Sequence, residues 1–173
     1  MMNAPKDDKL LLILLKKISD WCQDDEILQC RSLEISDWSL GQHCDHILKA
    51  DRLNLRAIEE LMRGGGEPID SMRKTHPVFQ SGEIPRGVAK APDFVLPTED
   101  PRSEDLEPLS GRVFTGWKEM LAEWQVGAGS GHNLEMGISH HEMGILNIPG
   151  WIRFAEIHTR HHVCIMEDIL NRK

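Results

Sequence analysis

The chain has 173 residues, 40% of them hydrophobic and 28% charged, with a formal charge of −8. That length suits one domain, residues 1–173, with a sizeable core. The acidic balance leaves no basic stripe for nucleic acid and nothing to hold the chain on an anionic membrane.

The first helix is expected from Asp7 or Asp8 to Gln29, where Leu10, Leu11, Leu14, Leu15, Ile18, Trp21 and Cys22 recur at three and four. Its apolar run Leu10–Leu15 is far too short to span a bilayer. Lysines flank the run and no small-residue cleavage site follows, so it does not read as a signal peptide. A cytoplasmic protein is the expectation. Cys22, Cys30, Cys44 and Cys164 form no Cys-x-x-Cys pair and read as reduced thiols, mostly in the core.

The second helix opens at Ser39-Leu-Gly-Gln42, which has the form of a capping box. It continues through Ile47, Ala50, Leu53, Ala57, Ile58 and Leu61 until Gly64-Gly65-Gly66 ends it. The stretch 64–108 holds seven of the nine prolines. Links of that length tend to be lids, disordered segments or crossovers, and a crossover fits if the second and third helices run parallel. A third helix is expected at about Leu109–Gln125, with Val113, Phe114, Trp117, Met120, Leu121 and Trp124 on its apolar face. The fourth starts near Asn147, an N-cap residue with Pro149 in the first turn, and runs to about Leu170. No segment has the β-branched alternation of a strand. The expected fold is all-α, a four-helix bundle with a long crossover between helices two and three.

The histidines carry the functional signal. In Ile157-His-Thr-Arg-His-His-Val163, His158 and His162 are four apart and stack on one helical face with Trp151, Ala155, Ile165 and Ile169. Two readings stand: a pair of metal ligands, or core histidines bonded to backbone or carboxylates. His161 falls off the stripe. On the second helix His46 continues into Ala50, Leu53 and Ala57, taken as the inward positions, and supplies a third imidazole. Three histidines from two facing helices, with a position left for water or substrate, is the pattern of a catalytic metal site. His43, one turn before His46, reads as a further ligand, a supporting residue or an acid/base. His140 and His141 are the other acid/base candidates, on the ground that an unperturbed imidazole suits proton transfer near neutral pH. His76 and His132 read as surface residues, Trp38 and Trp151 as packing anchors, and Arg153 and Arg160 as solvated charges.

Trp38-Ser39 followed by His46, then His140-x-x-x-Gly144-x-Leu146-Asn147-x-x-x-Trp151, then His158-x-x-x-His162, resembles the DinB/YfiT-like metal-binding four-helix bundles. The likeness spans about Trp38 to Leu170. It departs from that family at His141, where proline is usual, and in the longer crossover. The resemblance implies that His46, His158 and His162 bind one divalent ion, commonly nickel or zinc. It implies a metal-dependent enzyme acting on a small molecule, with transfer of a low-molecular-weight thiol to an electrophile as the preferred chemistry. Metal-assisted hydrolysis and metal or ligand binding without catalysis are the alternatives. A homodimer is also implied, because members of that family often pair through helix faces.

Overall fold

The structure is a computed structural model and describes residues 4–70, 75–87, 90–127 and 134–172, with the backbone alone at 4–6. His132 lies outside the described residues.

The described chain is mostly helical. In order it forms α1 (Ala4–Trp21), α2 (Asp25–Leu28), α3 (Leu40–Met62), β1 (Glu67–Pro68), α4 (Pro77–Ser81), a 3-10 turn (Asp93–Val95), α5 (Ser103–Gly127), β2 (Met136–His140), β3 (Gly144–Leu146) and α6 (Ile148–Asn171). No helix among the described residues is long and apolar enough to cross a membrane. The long helices α1 and α3 each pack against both α5 and α6. Leu11, Leu15, Ile18, Ile47, Ile58, Trp117, Ile152 and Met166 are fully buried between them.

Two boundaries and the strand content differ from expectation. The first helix stops at Trp21 and a separate turn, α2, follows, because the Asp24 carboxylate accepts from the backbone N–H of Glu26 and Ile27 and starts a new helix. The third helix begins at Ser103, six residues before the expected start at Leu109, and carries Pro108 inside it. A proline in the second turn forfeits one ladder bond, and burial of Leu106 beside it offsets that loss. The expectation of no strands is also overturned by a small antiparallel sheet in the order β1-β2-β3. Ile138 pairs with Leu146, Ser139 with Ile145 and His140 with Gly144. Its strands are too short for alternation to register, and Gly137 interrupts the pattern for a packing reason. A Cβ at Gly137 would lie 2.6 Å from Ile145 Cγ2 and 2.9 Å from the Leu146 carbonyl.

The long connection joins two parallel helices. At one end the Asp25 carboxylate accepts from Ser103 N–H at the start of α5. Gly41, at the start of α3, packs on Leu28 and the Pro101 carbonyl at that same end. At the other end β1, just after α3, pairs with β2, which follows α5.

The capping box at α3 forms as read: Gln42 N–H donates to Ser39 Oγ and Ser39 N–H to Gln42 Oε1. Asn147 Oδ1 accepts from Gly150 N–H at the start of α6. The inward face of α3 is rotated from the one expected. Its buried positions after His46 are Ile47, Leu48, Asp51, Asn54, Leu55, Ile58 and Leu61, whereas Leu53 is 37% exposed. Ala50 and Leu53 line a cleft, and that cleft is where the histidines meet.

Candidate metal centre

His43 and His46 lie on α3 and His158 and His162 on α6, so the packing of these two helices brings four imidazoles together. One ligand nitrogen from each of His46, His158 and His162 falls within 4.8 Å of the others. His46 and His162 are buried and His158 partly so. The ring centroids of His46 lie 5.0 Å from His158 and 4.8 Å from His162.

A hydrogen bond fixes the tautomer of His46. His46 Nδ1 lies 2.9 Å from the Val95 carbonyl. A carbonyl only accepts, so the proton of neutral His46 sits on Nδ1 and the lone pair on Nε2. That Nε2 lies 3.1 Å from His158 Nε2. Two nitrogens bound to one ion at 2.0–2.1 Å would be about 2.8–3.0 Å apart as octahedral neighbours and about 3.3–3.4 Å apart in tetrahedral geometry, so the spacing fits a shared cation. His158 Nδ1 is buried with no partner among the described residues, which leaves the centre one group short of satisfied. These three residues fit a divalent ion.

His43 is the fourth member. Its Nδ1 is 3.0 Å from His162 Nδ1 and its Nε2 is 3.0 Å from Ser36 Oγ. Ser36 Oγ also accepts from Trp38 N–H. One assignment satisfies this chain and leaves a lone pair for a metal: His43 Nε2–H donates to Ser36, and His162 Nδ1–H donates to His43. His162 Nε2 is then free to bind. Trp38 faces the same group, with its ring centroid 5.1 Å from His46 and nearly parallel to His162 at 6.2 Å. It is part of the centre rather than a remote packing anchor.

Burial is the largest cause of every pKa shift here. It holds His158 and His162 well below the usual histidine value, lowers His46, and takes His43 down to about 3. All four are neutral at neutral pH, which is the form that binds metal. The same shift keeps His43 unprotonated near pH 7.

The centre opens into a cleft of about 1300 Å³, lined also by Asn54, Phe94, His140, His141, Trp151 and His161. His140 closes β2, and burial takes it down to about 4. His141 is exposed on the hairpin turn at the cleft rim, 6.0 Å edge-on from Phe94. His76 is not a plain surface residue: it lines the cleft and its ring caps α4, accepting from Val78 N–H.

Several contributors were not visible in the sequence. The 3-10 turn that supplies the Val95 carbonyl is pinned to α3 by Asp45. Its carboxylate accepts from Thr98 N–H at 2.7 Å, from Thr98 Oγ1 at 3.1 Å and from Lys49 Nζ at 2.8 Å. Asp51, wholly buried, accepts from Asn54 Nδ2 and Thr159 Oγ1. Burial raises its pKa to about 7. Arg153 and Arg160 are not solvated charges. Both bond to Glu156, whose side chain is fully buried, and Arg160 also reaches the Gly82 carbonyl at 2.6 Å. Glu156 stands between Ala155 and Ile157 in sequence, an interruption that could have pointed to it, whereas Asp51 sits beside Arg52 and gives no such signal. Cys22, Cys30 and Cys44 are buried as read, and Cys164 is exposed.

No family model, no curated protein and no solved structure matches this chain.

Proposed function

We propose that the protein is a metal-dependent enzyme acting on a small molecule, with transfer of a low-molecular-weight thiol to an electrophile as the preferred chemistry. The supporting observation is the convergence of three neutral imidazoles from two helices, with no carboxylate among them, at the floor of a cleft. The proposed architecture is a DinB/YfiT-like four-helix bundle. The pairwise packing of α1, α3, α5 and α6 and the parallel α3 and α5 support that reading.

His46, His158 and His162 would hold nickel or zinc. A bound divalent ion keeps a thiol or a water deprotonated at neutral pH. The protein's share is to present lone pairs in fixed directions. The Val95 carbonyl sets the tautomer of His46, and the Ser36–His43 pair sets that of His162. Trp38, Phe94 and Trp151 give the cleft apolar walls suited to the carbon skeleton of a small electrophile. In the transfer, the thiol loses its proton, sulfur forms a bond to the electrophilic carbon, and the leaving group departs with its electron pair. His141, exposed at the cleft rim, is the proposed acid/base. A cytoplasmic homodimer belongs to the same proposal.

The test is a screen of zinc- or nickel-loaded protein with small thiols and carbon electrophiles, followed by mass spectrometry of the adducts. Adduct formation above background, abolished in His46→Ala, supports the reading. Ester or amide hydrolysis without thiol dependence would favour the hydrolase alternative. Stoichiometric metal with neither activity would favour a binding bundle.

A further inference from the structure

The sheet that the sequence did not reveal delivers one imidazole to the cleft in a fixed state. Backbone N–H groups of Glu142 and Met143 both point at His140 Nδ1, each at 3.2 Å. An N–H can only donate, so Nδ1 carries a lone pair and the proton of His140 sits on Nε2. Protonating Nδ1 would set an N–H against two others, so the turn itself opposes a charged ring. The ring plane is also held. His141 stacks on it at 4.3 Å, Phe154 lies at 4.4 Å and Trp151 at 5.4 Å between centroids. Phe154 in turn stacks on His158 at 5.5 Å, which places His140 one aromatic layer from the candidate metal ligands. His140 lines the cleft, and among the described residues its Nε2–H has no acceptor.

We infer that His140 is a substrate-binding residue: a neutral imidazole whose Nε2–H donates to an oxygen of a carboxylate- or carbonyl-bearing small molecule held in the cleft. A neutral donor suits this role: it recognises an acceptor oxygen without adding charge to the cleft, and its Nδ1, engaged by the turn, does not compete for the metal. This rests on the metal-centre reading of the same cleft and adds to it a class of ligand and the residue that selects it.

One substitution separates the two jobs of the ring. His140→Asn places Oδ1 near the position of Nδ1, where an asparagine side chain accepts from the backbone N–H two residues on, so the turn survives. It cannot reach the position of Nε2, so the donor is lost. Acetate is titrated into cobalt-loaded wild type and variant and followed by the cobalt absorption bands, with metal content measured on both. Acetate should bind the variant about ten- to a hundredfold more weakly, the loss expected for one hydrogen bond to a charged acceptor, at unchanged cobalt content. In ¹⁵N-histidine spectra of the metal-free wild type, His140 should appear as the Nε2–H tautomer. Acetate affinities within twofold of each other, no acetate binding to loaded wild type, or an Nδ1–H tautomer would each overturn the inference alone. No cobalt uptake by wild type would overturn the metal-centre reading, and this inference with it.

Discussion

Replacing His43 by leucine tests whether the fourth histidine supports a metal ligand or is one. The imidazole is 2% exposed and makes two contacts, with His162 Nδ1 and with Ser36 Oγ, each at 3.0 Å. Leucine keeps the volume and the apolar packing but leaves His162 Nδ1 buried without an acceptor. The Nδ1–H of a ligating imidazole normally has such a partner, and losing it costs about ten- to a hundredfold in metal affinity. That corresponds to about 1.4–2.7 kcal/mol. His43→Asn, which can place an amide oxygen near the lost Nδ1, should recover most of the affinity. The assay is competition for zinc against a chromogenic chelator, with metal per chain at saturation measured alongside. The expected result is unchanged stoichiometry at saturation with weakened affinity in the leucine variant and near wild-type affinity in the asparagine variant. Wild-type affinity for His43→Leu would refute the reasoning, and loss of the metal altogether would make His43 a ligand.

Three further outcomes are expected. The Asp51 carboxyl is raised from 3.8 to about 7, so between those values the folded chain holds a proton that the unfolded chain has lost, and stability falls as pH rises through that window. His43 and His140, lowered from 6.5 to about 3 and about 4, act oppositely: their contribution is full above 6.5 and is lost as pH falls toward those values. Asp51→Asn should therefore make the stability of metal-free protein rise more steeply between about pH 4 and 6.5 than wild type in urea unfolding, and an unchanged slope would contradict this. Glu156→Ala removes the buried partner of Arg153 and Arg160 and should cost about 3–5 kcal/mol in the same assay; a loss below about 1 kcal/mol would show that the arginines find other partners. Asp45→Ala frees the segment that carries Val95, so hydrogen exchange at residues 95–98 should quicken and zinc affinity fall, whereas unchanged exchange would mean that Asp45 does not hold it.

The long helices were legible because each writes its own signal. Ser39 and Gln42 form the expected capping box, and Asn147 with Pro149 opens α6 as read. The triad was legible for the same reason, since the spacing of His158 and His162 is a helical spacing and His46 lies on the facing helix. What lies between the helices was not legible. Val95 and the His140 turn act through a backbone carbonyl and backbone N–H groups, which carry no side-chain signature, and Ser36 acts through a hydroxyl whose partner lies on another element. The inward face of α3 was misplaced because Ala50 and Leu53 are apolar yet line a cleft, while Asp51 and Asn54 are polar yet buried. Arg160 was misread because its partner, Glu156, sits one helical turn away on a face that looks polar in sequence and is sealed in the fold. The strands escaped because each is held by two to five residues, and one of them needs Gly137 for close packing.

The central claim is that His46, His158 and His162 hold one divalent ion. Elemental analysis of tag-free protein, beside the variant with all three changed to alanine, tests it most directly. The account predicts about one nickel, zinc or similar ion per chain in the wild type and none in the variant. Wild-type protein that takes up no metal after incubation with excess zinc or nickel, or a triple variant that binds as much as wild type, would contradict it.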